Sequence, residues 1–157
     1  ICSDVHRIAH QLHSGKLEYL GLVSAARSFS KEISEKNNVQ IDFKEEGVPR
    51  ILPHEVALSL FRILQEALHN AVAHSGAKHF EVALWEESSE VHLRVKDFGK
   101  GFDPLAVMHE EGIGLTSMRE RVRLVNGTIS INSKPSRGTT IYVRVPLPES
   151  WRDSVVA

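Results

Sequence analysis

The sequence has few of the features that mark secreted, membrane-spanning or nucleic-acid-binding proteins. Its single cysteine, Cys2, excludes an intrachain disulfide and fits a reducing compartment. No apolar run approaches the ~18–20 residues of a membrane span, and no signal-peptide pattern is present. Nineteen basic and twenty acidic side chains give a formal net charge of −1, which argues against general electrostatic binding to nucleic acid or anionic membranes. We therefore expect a cytoplasmic domain that contacts neither, in a parent protein that is free or membrane-anchored.

Hydrophobic residues make up 41% of the 157 residues and charged residues 25%, as in a globular domain with a real core. Apolar periodicity predicts a helix, a strand, a helix, two strands, a helix and two strands. This order predicts an α+β fold: a two-layer sandwich of a mixed, mostly antiparallel sheet covered by about three helices on one face, preceded by an N-terminal helix. The predicted units are an N-terminal helical segment (1–37), the main domain (38–148) and a tail (149–157).

The N-terminal segment, residues 3–36, reads as an amphipathic helix with a break near Ser14-Gly15. Its apolar stripe runs from Leu17 to Ile33, and we expect a partner chain or a segment outside this sequence to bury it. Three histidines before the break share one helical face: His6, His10 and His13. Their spacing suits a transition metal, but ordinary surface or packed histidines are the more common case.

Glycine is ordinary in amount but clustered, with four of the ten glycines between positions 99 and 114. Glycine reaches positive φ and lets a ligand approach the backbone, so this stretch suggests a nucleotide site. Asp97 ends a predicted strand, where its carboxylate could accept a hydrogen bond from the amino group of adenine. Guanine presents a carbonyl oxygen there, so two acceptors would face each other. Leaving a buried acceptor without a hydrogen bond costs roughly 1–3 kcal/mol. The alternative is a common turn aspartate, since the pattern is neither Gly-x-Gly-x-x-Gly nor a Walker A loop.

Gly112 and Gly114 precede a predicted helix over 116–126. A helix N-terminus offers free N–H groups and a positive dipole end, which suit phosphate. A plain glycine-rich turn is the alternative. Arginines at 119, 121 and 123 add charge, but their spacing puts them on different sides of the helix.

The longest predicted helix, over 53–74, carries a polar stripe at four-residue spacing: Arg62, Glu66, Asn70 and His74. It could be the wet side of an amphipathic helix. However, the oxygens of Asn and Glu suit Mg²⁺, and a carboxylate one turn away could orient or deprotonate an attacking group.

Taken together, the motifs resemble the ATP-binding catalytic domain of bacterial two-component sensor histidine kinases, a fold shared with gyrase-type topoisomerases and mismatch-repair ATPases. The resemblance covers about residues 39–148. Met118-Arg119-Glu120-Arg121 is similar to the subfamily that pairs with helix-turn-helix response regulators. The motifs that carry the resemblance are Gln65–Ala71, Asp97–Phe102, Gly112–Arg121 and Arg137–Thr140.

The resemblance implies a role for each site residue. Asn70 would coordinate Mg²⁺, and Glu66 would assist as base or orienter. Ser117 departs from the glycine that members often have. The residues that would bind ATP are Asp97 at adenine, with Gly99 and Gly101 shaping its pocket, Gly112, Gly114 and Leu115 in a lid over the phosphates, Thr139 or Thr140 at the adenine end, and His74.

The resemblance also implies a histidine that accepts the phosphoryl group. Arg7–His13 is similar to the acceptor motif, but Ser14 replaces the acidic residue that would follow. His13 and Asn70 are 57 positions apart (70 − 13), which leaves room for only one helix before the ATP-binding domain. We therefore expect the acceptor upstream of this chain, and residues 3–36 as the second helix of a dimerising hairpin. The chain opens at Ile1 without methionine, as a piece of a longer protein would.

The predicted function is transfer of the ATP γ-phosphoryl group to a histidine, for relay through the parent protein to a response regulator. One alternative is a serine kinase of the anti-sigma-factor type, which lacks the hairpin that Leu20-Gly21-Leu22 resembles. Another is a non-catalytic ATP-sensing module, which would have lost Glu66 or Asn70.

Overall fold

The computed structural model describes residues 2–103 and 113–151, with the side chains of residues 2–14 and 113 left out. Residues 149–151 are helical, and the elements bounded within these ranges are three helices and five strands. In chain order they are α1 (Cys2–Asn37), β1 (Gln40–Glu46), α2 (His54–His74), β2 (His79–Glu87), β3 (Glu90–Asp97), α3 (Ile113–Leu124), β4 (Thr128–Ser133) and β5 (Thr139–Pro146).

The five strands form one mixed sheet in the order β1-β2-β3-β5-β4. β1 runs parallel to β2, and every other pair is antiparallel. The parallel pair is joined through α2, as a parallel connection requires. Alternate side chains of the three central strands are buried, including Val82, Leu93 and Val143, which is the period-two pattern of a sheet with one covered face. The predicted α+β fold is confirmed.

The helices cover that face, with α2 at the centre of the core. Leu60, Ile63 and Leu68 of α2 are fully buried. They share one apolar cluster with the sheet and with Met118 and Val122 of α3. The amphipathic pattern of α2 therefore has the outcome predicted for it, because its apolar face is buried while the residues of its polar stripe are partly or fully exposed.

The break in α1 lies at Gly21, so the predicted break near Ser14-Gly15 is wrong. Gly21 has φ 81° and ψ 172°, whereas Gly15 continues the helix. A side-chain carbon at Gly21 would lie 2.9 Å from the carbonyl oxygen of Arg50. The kink thus occurs where the loop before α2 packs against the helix, a contact that local sequence does not reveal.

Most of the apolar stripe of α1 is buried by this chain itself, although Leu20 is 54% exposed. Phe29 packs edge-on against Phe61 of α2, with ring centroids 6.0 Å apart. Leu22, Ala26 and Ile33 join the same cluster as α2 and the sheet. The expectation that a partner chain or an outside segment would bury this stripe is therefore wrong. One apolar core includes residues on both sides of residue 37. The division into an N-terminal helical segment and a main domain with separate functions therefore stays a prediction.

A further prediction concerns the histidines of the same helix. The side chains of His6, His10 and His13 lie outside the described residues. Among the helices that the structure does describe, none combines the length and apolar character needed to cross a membrane.

Candidate functional site

A cavity of about 530 Å³ opens beside α2, α3 and the ends of β3 and β5. Seven of the predicted site residues line it, and they come from four separate parts of the sequence. Ala67 and Ile141 add apolar surface of the kind that a flat ring can contact. The seven are Asn70, His74, Asp97, Gly101, Gly114, Leu115 and Thr139.

Asp97 is the buried acid of the cavity, with 6% of its surface exposed. Its Oδ1 accepts hydrogen bonds from the backbone N–H groups of Gly99 at 2.9 Å and Thr139 at 3.3 Å. Burial raises the pKa of the carboxyl, and the two backbone hydrogen bonds oppose that shift. With Oδ1 held in this way, Oδ2 is the oxygen that can accept a hydrogen bond from a ligand.

Gly99 and Gly101 each allow another backbone segment to pack closely against them. A side-chain carbon at Gly99 would overlap the carbonyl group of Ser75, at the end of α2. Gly101, with φ +59°, packs in the same way against the carbonyl of Lys134. Gly99 does not line the cavity. It shapes the pocket from behind, because the close approach holds the chain after Asp97 against α2.

Gly138 also packs closely against another backbone segment, although the sequence alone assigns it no role. It has φ +76°, and a side-chain carbon there would overlap the backbone carbonyl of Asp97. The available signal was its place in the turn between two alternating strands, where a positive φ is common. The β4–β5 turn is thereby pressed against the carboxylate-bearing end of β3.

The choice between Thr139 and Thr140 is decided by the alternation of β5. Thr139 lines the cavity, on the same side as buried Ile141. Thr140 pairs with Lys96 across the sheet and lies along a separate groove. Thr140 therefore does not line the cavity, since neighbouring residues of a strand face opposite ways.

Glu66 and Asn70 lie one helical turn apart and meet α3 at Gly114. A side-chain carbon at Gly114 would overlap Glu66 Oε1 and would lie 3.4 Å from Asn70 Nδ2. The polar ends of both side chains thus converge at Gly114. Asn70 and Gly114 line the cavity, whereas Glu66 contacts its wall at Gly114 and is not itself a lining residue. A carboxamide and a carboxylate provide hard oxygen donors, which fit the few protein ligands that Mg²⁺ takes.

The first turn of α3 brings Gly114 into contact with these two residues. The predicted helix began at residue 116, but α3 begins at Ile113, so Gly114 lies inside the helix rather than before it. Glycine's low helix propensity made the predicted start too late. Gly112, predicted beside the phosphates, lies outside the described residues.

Positive charge lies in α2 one turn before Glu66, at Arg62. Arg62 donates a hydrogen bond to Gln65 Oε1 at 2.9 Å. Burial lowers the pKa of Arg62, and the positive charge of Arg121 on α3 lowers it further. The two arginines therefore favour an anion nearby.

Residues 55–149 match the family model of histidine kinase-, DNA gyrase B- and HSP90-like ATPases. The chain is 36% identical over 145 residues to the signal transduction histidine-protein kinase/phosphatase DegS of Brevibacillus brevis, covering 92% of this chain and 37% of DegS. It is 30% identical over 149 residues to the oxygen sensor histidine kinase NreB of Staphylococcus carnosus, covering 95% of this chain and 43% of NreB.

The fold is also similar to a solved structure, the histidine kinase domain of the blue-light activated histidine kinase of Erythrobacter litoralis EL346. The TM-score is 0.65 at 20% identity, with 85% of this chain and 64% of that chain covered. The chain spans about two fifths of the length of DegS and NreB. The match to the family model extends over more than half of the sequence. The chain therefore belongs to the family of histidine kinase-, DNA gyrase B- and HSP90-like ATPases, and over most of its length it is similar to two histidine kinases.

Proposed function

We propose that this domain holds Mg-ATP in the cavity and transfers its γ-phosphoryl group to a histidine of the parent protein. One observation carries the proposal. Asp97, a buried carboxylate, and Asn70 line the same cavity, and Gly114 in its wall lies against the polar groups of both Glu66 and Asn70. An adenine bound at Asp97 would direct its phosphates to Asn70 and Glu66.

The adenine end selects the base by hydrogen-bond direction. Asp97 Oδ2 accepts a hydrogen bond from the exocyclic amino group, while Oδ1 accepts hydrogen bonds from the backbone N–H groups of Gly99 and Thr139. Guanine would bring a carbonyl oxygen to the same carboxylate. An unpaired buried acceptor costs roughly 1–3 kcal/mol, which is about one to two powers of ten in affinity.

The phosphate end relies on positioning and charge neutralisation, as phosphoryl transfer does generally. Asn70 would hold the metal through its carboxamide oxygen. Bound Mg²⁺ supplies neutralising charge to the phosphate oxygens. Gly114 and Leu115, in the first turn of α3, face the phosphates with backbone N–H groups and the positive end of the helix dipole.

In the transfer step, a ring nitrogen of the acceptor histidine attacks the γ-phosphorus atom. The bond from that phosphorus to the β–γ bridging oxygen breaks, and ADP leaves with the electron pair. Glu66 orients the imidazole through its other ring N–H, or accepts that proton. We place the acceptor upstream of this chain, on the first helix of a hairpin that dimerises and whose second helix is α1.

In the parent protein, an aspartate of a response regulator would then receive the phosphoryl group. The Met118–Arg121 run supports a regulator of the helix-turn-helix class, on the resemblance alone. Two of the relatives described above are named as histidine kinases, which supports phosphorylation of histidine rather than serine.

The test is phosphorylation of the full-length parent protein with γ-labelled ATP. We expect label that is lost in acid, as phosphohistidine is, and no label in Asn70→Ala. Asn132→Ala is the matched control, because Asn132 is an exposed asparagine of β4 bonded to Ser130. Acid-stable label on serine would contradict the histidine assignment. Acid-labile label that disappears in His13→Ala would contradict an upstream acceptor.

A further inference from the structure

Ser133, the last residue of β4, is a buried hydroxyl where three segments meet. The backbone N–H of Phe102 donates to its Oγ at 2.8 Å. The carbonyl oxygen of Gly138 lies 3.2 Å from the same atom, and Thr139 Oγ1 lies 2.8 Å from it. Only 6% of Ser133 is exposed, so these contacts have little competition from solvent. Ser133 contacts Thr139 directly, and Thr139 lines the cavity.

The hydrogen bonds of Ser133 are limited by its single proton. A serine hydroxyl has one donor and two acceptor positions. The N–H of Phe102 uses one acceptor position. The proton goes either to Gly138 O, in which case Thr139 donates to the second acceptor position of Ser133, or to Thr139 Oγ1. The contact with Thr139 has the usual length of an O–H···O hydrogen bond, whereas the 3.2 Å contact with Gly138 exceeds the usual range.

We propose that Ser133 determines base specificity by donating its proton to Thr139 Oγ1. The proton of Thr139 is then directed into the cavity, where it serves as a hydrogen-bond donor to a ring nitrogen of the base. This role rests on the proposed ATP site. Ser133 does not touch the nucleotide, so it is a positioning residue that acts through Thr139.

The chemistry of adenine fits a donor next to an acceptor. Its amino group lies between two unprotonated ring nitrogens, N1 and N7, which are both acceptors. Asp97 accepts from the amino group, and Thr139 is its neighbour, with a backbone N–H that binds Asp97 Oδ1. A Thr139 hydroxyl that donates therefore completes the recognition of an amino group beside a ring nitrogen. Guanine has the opposite pattern. A carbonyl oxygen, which accepts, replaces the amino group of adenine, and its N1 is protonated and therefore donates.

The test combines variants of Ser133 with analogues of ATP that lack one ring nitrogen. Binding of Mg-ATP, 1-deaza-ATP and 7-deaza-ATP is measured by calorimetry for the wild-type chain and for Ser133→Ala. One hydrogen bond of about 1 kcal/mol gives the wild type a preference of about fivefold to tenfold for ATP over one of the analogues. In Ser133→Ala that preference falls to about twofold, because the Thr139 hydroxyl is no longer oriented. Ser133→Thr, which keeps the hydroxyl, retains the preference.

Two controls separate specificity from folding. Ser130→Ala removes an exposed hydroxyl from the same strand and leaves the preference unchanged. Ser133→Cys, close in size but a weak hydrogen-bonding group, behaves as Ser133→Ala does and serves if the alanine variant does not fold.

The outcomes that contradict the proposal differ from those that contradict ATP binding. A wild-type chain that binds no ATP would contradict the site as a whole. If the wild type binds ATP but prefers it over neither analogue, Thr139 is not the donor. If Ser133→Ala and Ser133→Cys weaken ATP and both analogues by the same factor, Ser133 has only a structural role.

Discussion

Gly114 of α3 lies directly against the carboxylate of Glu66 on α2, so closely that any side chain at position 114 would overlap Glu66 Oε1. The contact joins the start of one helix to the polar stripe of another. Met118 and Val122 hold α3 in this position through the apolar core. The carboxylate of Glu66, which we assign to the reaction, therefore occupies the space that a side chain at position 114 would need.

We predict that Gly114→Ala lowers phosphoryl transfer in the parent protein by about tenfold or more while leaving stability nearly unchanged. The new methyl group meets the end of a flexible side chain, so Glu66 moves and the backbone does not. A displacement of about 1 Å at a reacting group is enough for a loss of this size. Labelled-ATP kinetics and thermal unfolding measure the two effects.

Gly15→Ala is the matched control for this variant. Gly15 lies within α1, and a side-chain carbon there would have no atom within 4 Å. Alanine should stabilise the helix by up to about 1 kcal/mol and leave transfer unchanged. Equal transfer rates in Gly114→Ala and the wild type would show that the Glu66 position is unimportant.

We predict that Gly101→Ala destabilises the domain by at least about 2 kcal/mol more than Gly76→Ala. Both glycines have positive φ, +59° and +70°, so both variants strain the backbone. Only at Gly101 would the methyl group overlap a carbonyl, that of Lys134, whereas the space at Gly76 is open. Urea unfolding of the two variants isolates the overlap, and equal losses would contradict it.

Much of the site could be predicted because its residues follow local rules. Glu66 and Asn70 share a face through helical spacing, and Asp97 ends a strand with clear alternation. Ser133 and Phe102 are joined by a hydrogen bond across 31 positions, and no local pattern relates them. The kink at Gly21 likewise depends on Arg50, a residue of another segment. Contacts of this kind are set by the tertiary structure and leave no periodic signal.

We predict that the second half of α1 contributes to the stability of the domain. Phe29→Ala should cost about 3–5 kcal/mol, because Phe29 is 4% exposed and packs on Phe61. Tyr19→Ala is the matched aromatic control. Tyr19 is 85% exposed, and its removal should change the free energy of unfolding by less than about 0.5 kcal/mol. Denaturant titration measures both variants. A Phe29→Ala variant as stable as Tyr19→Ala would mean that α1 does not share the core.

We predict that Asp97 lowers the stability of the domain as pH rises. Burial raises the pKa of this carboxyl in the folded state above its ordinary value of 3.8. Between 3.8 and the raised value the folded state binds more protons than the unfolded state, so the free energy of unfolding falls as pH rises through that window. The Asp97→Asn variant has no titrating carboxyl at this position, so this decrease in the free energy of unfolding should be absent from it.

The pH experiment is a comparison of urea unfolding for the wild type and Asp97→Asn from about pH 3 to about pH 7. Other carboxyl groups titrate in both proteins and cancel in the difference. We expect the stability of the wild type relative to Asp97→Asn to decline with rising pH. A relative stability that rises instead would mean that the backbone hydrogen bonds outweigh burial at Asp97.

The most direct test of the ATP site is calorimetric titration of this chain with Mg-ATP and with Mg-GTP, together with Asp97→Asn. We predict that Mg-ATP binds at least about tenfold more tightly than Mg-GTP, since GTP leaves a buried acceptor unpaired. In Asp97→Asn the amide can donate to the guanine carbonyl, so the difference narrows or reverses. Equal affinity of the wild type for ATP and GTP, or a difference that Asp97→Asn leaves unchanged, would contradict the assignment of Asp97 as the residue that reads adenine.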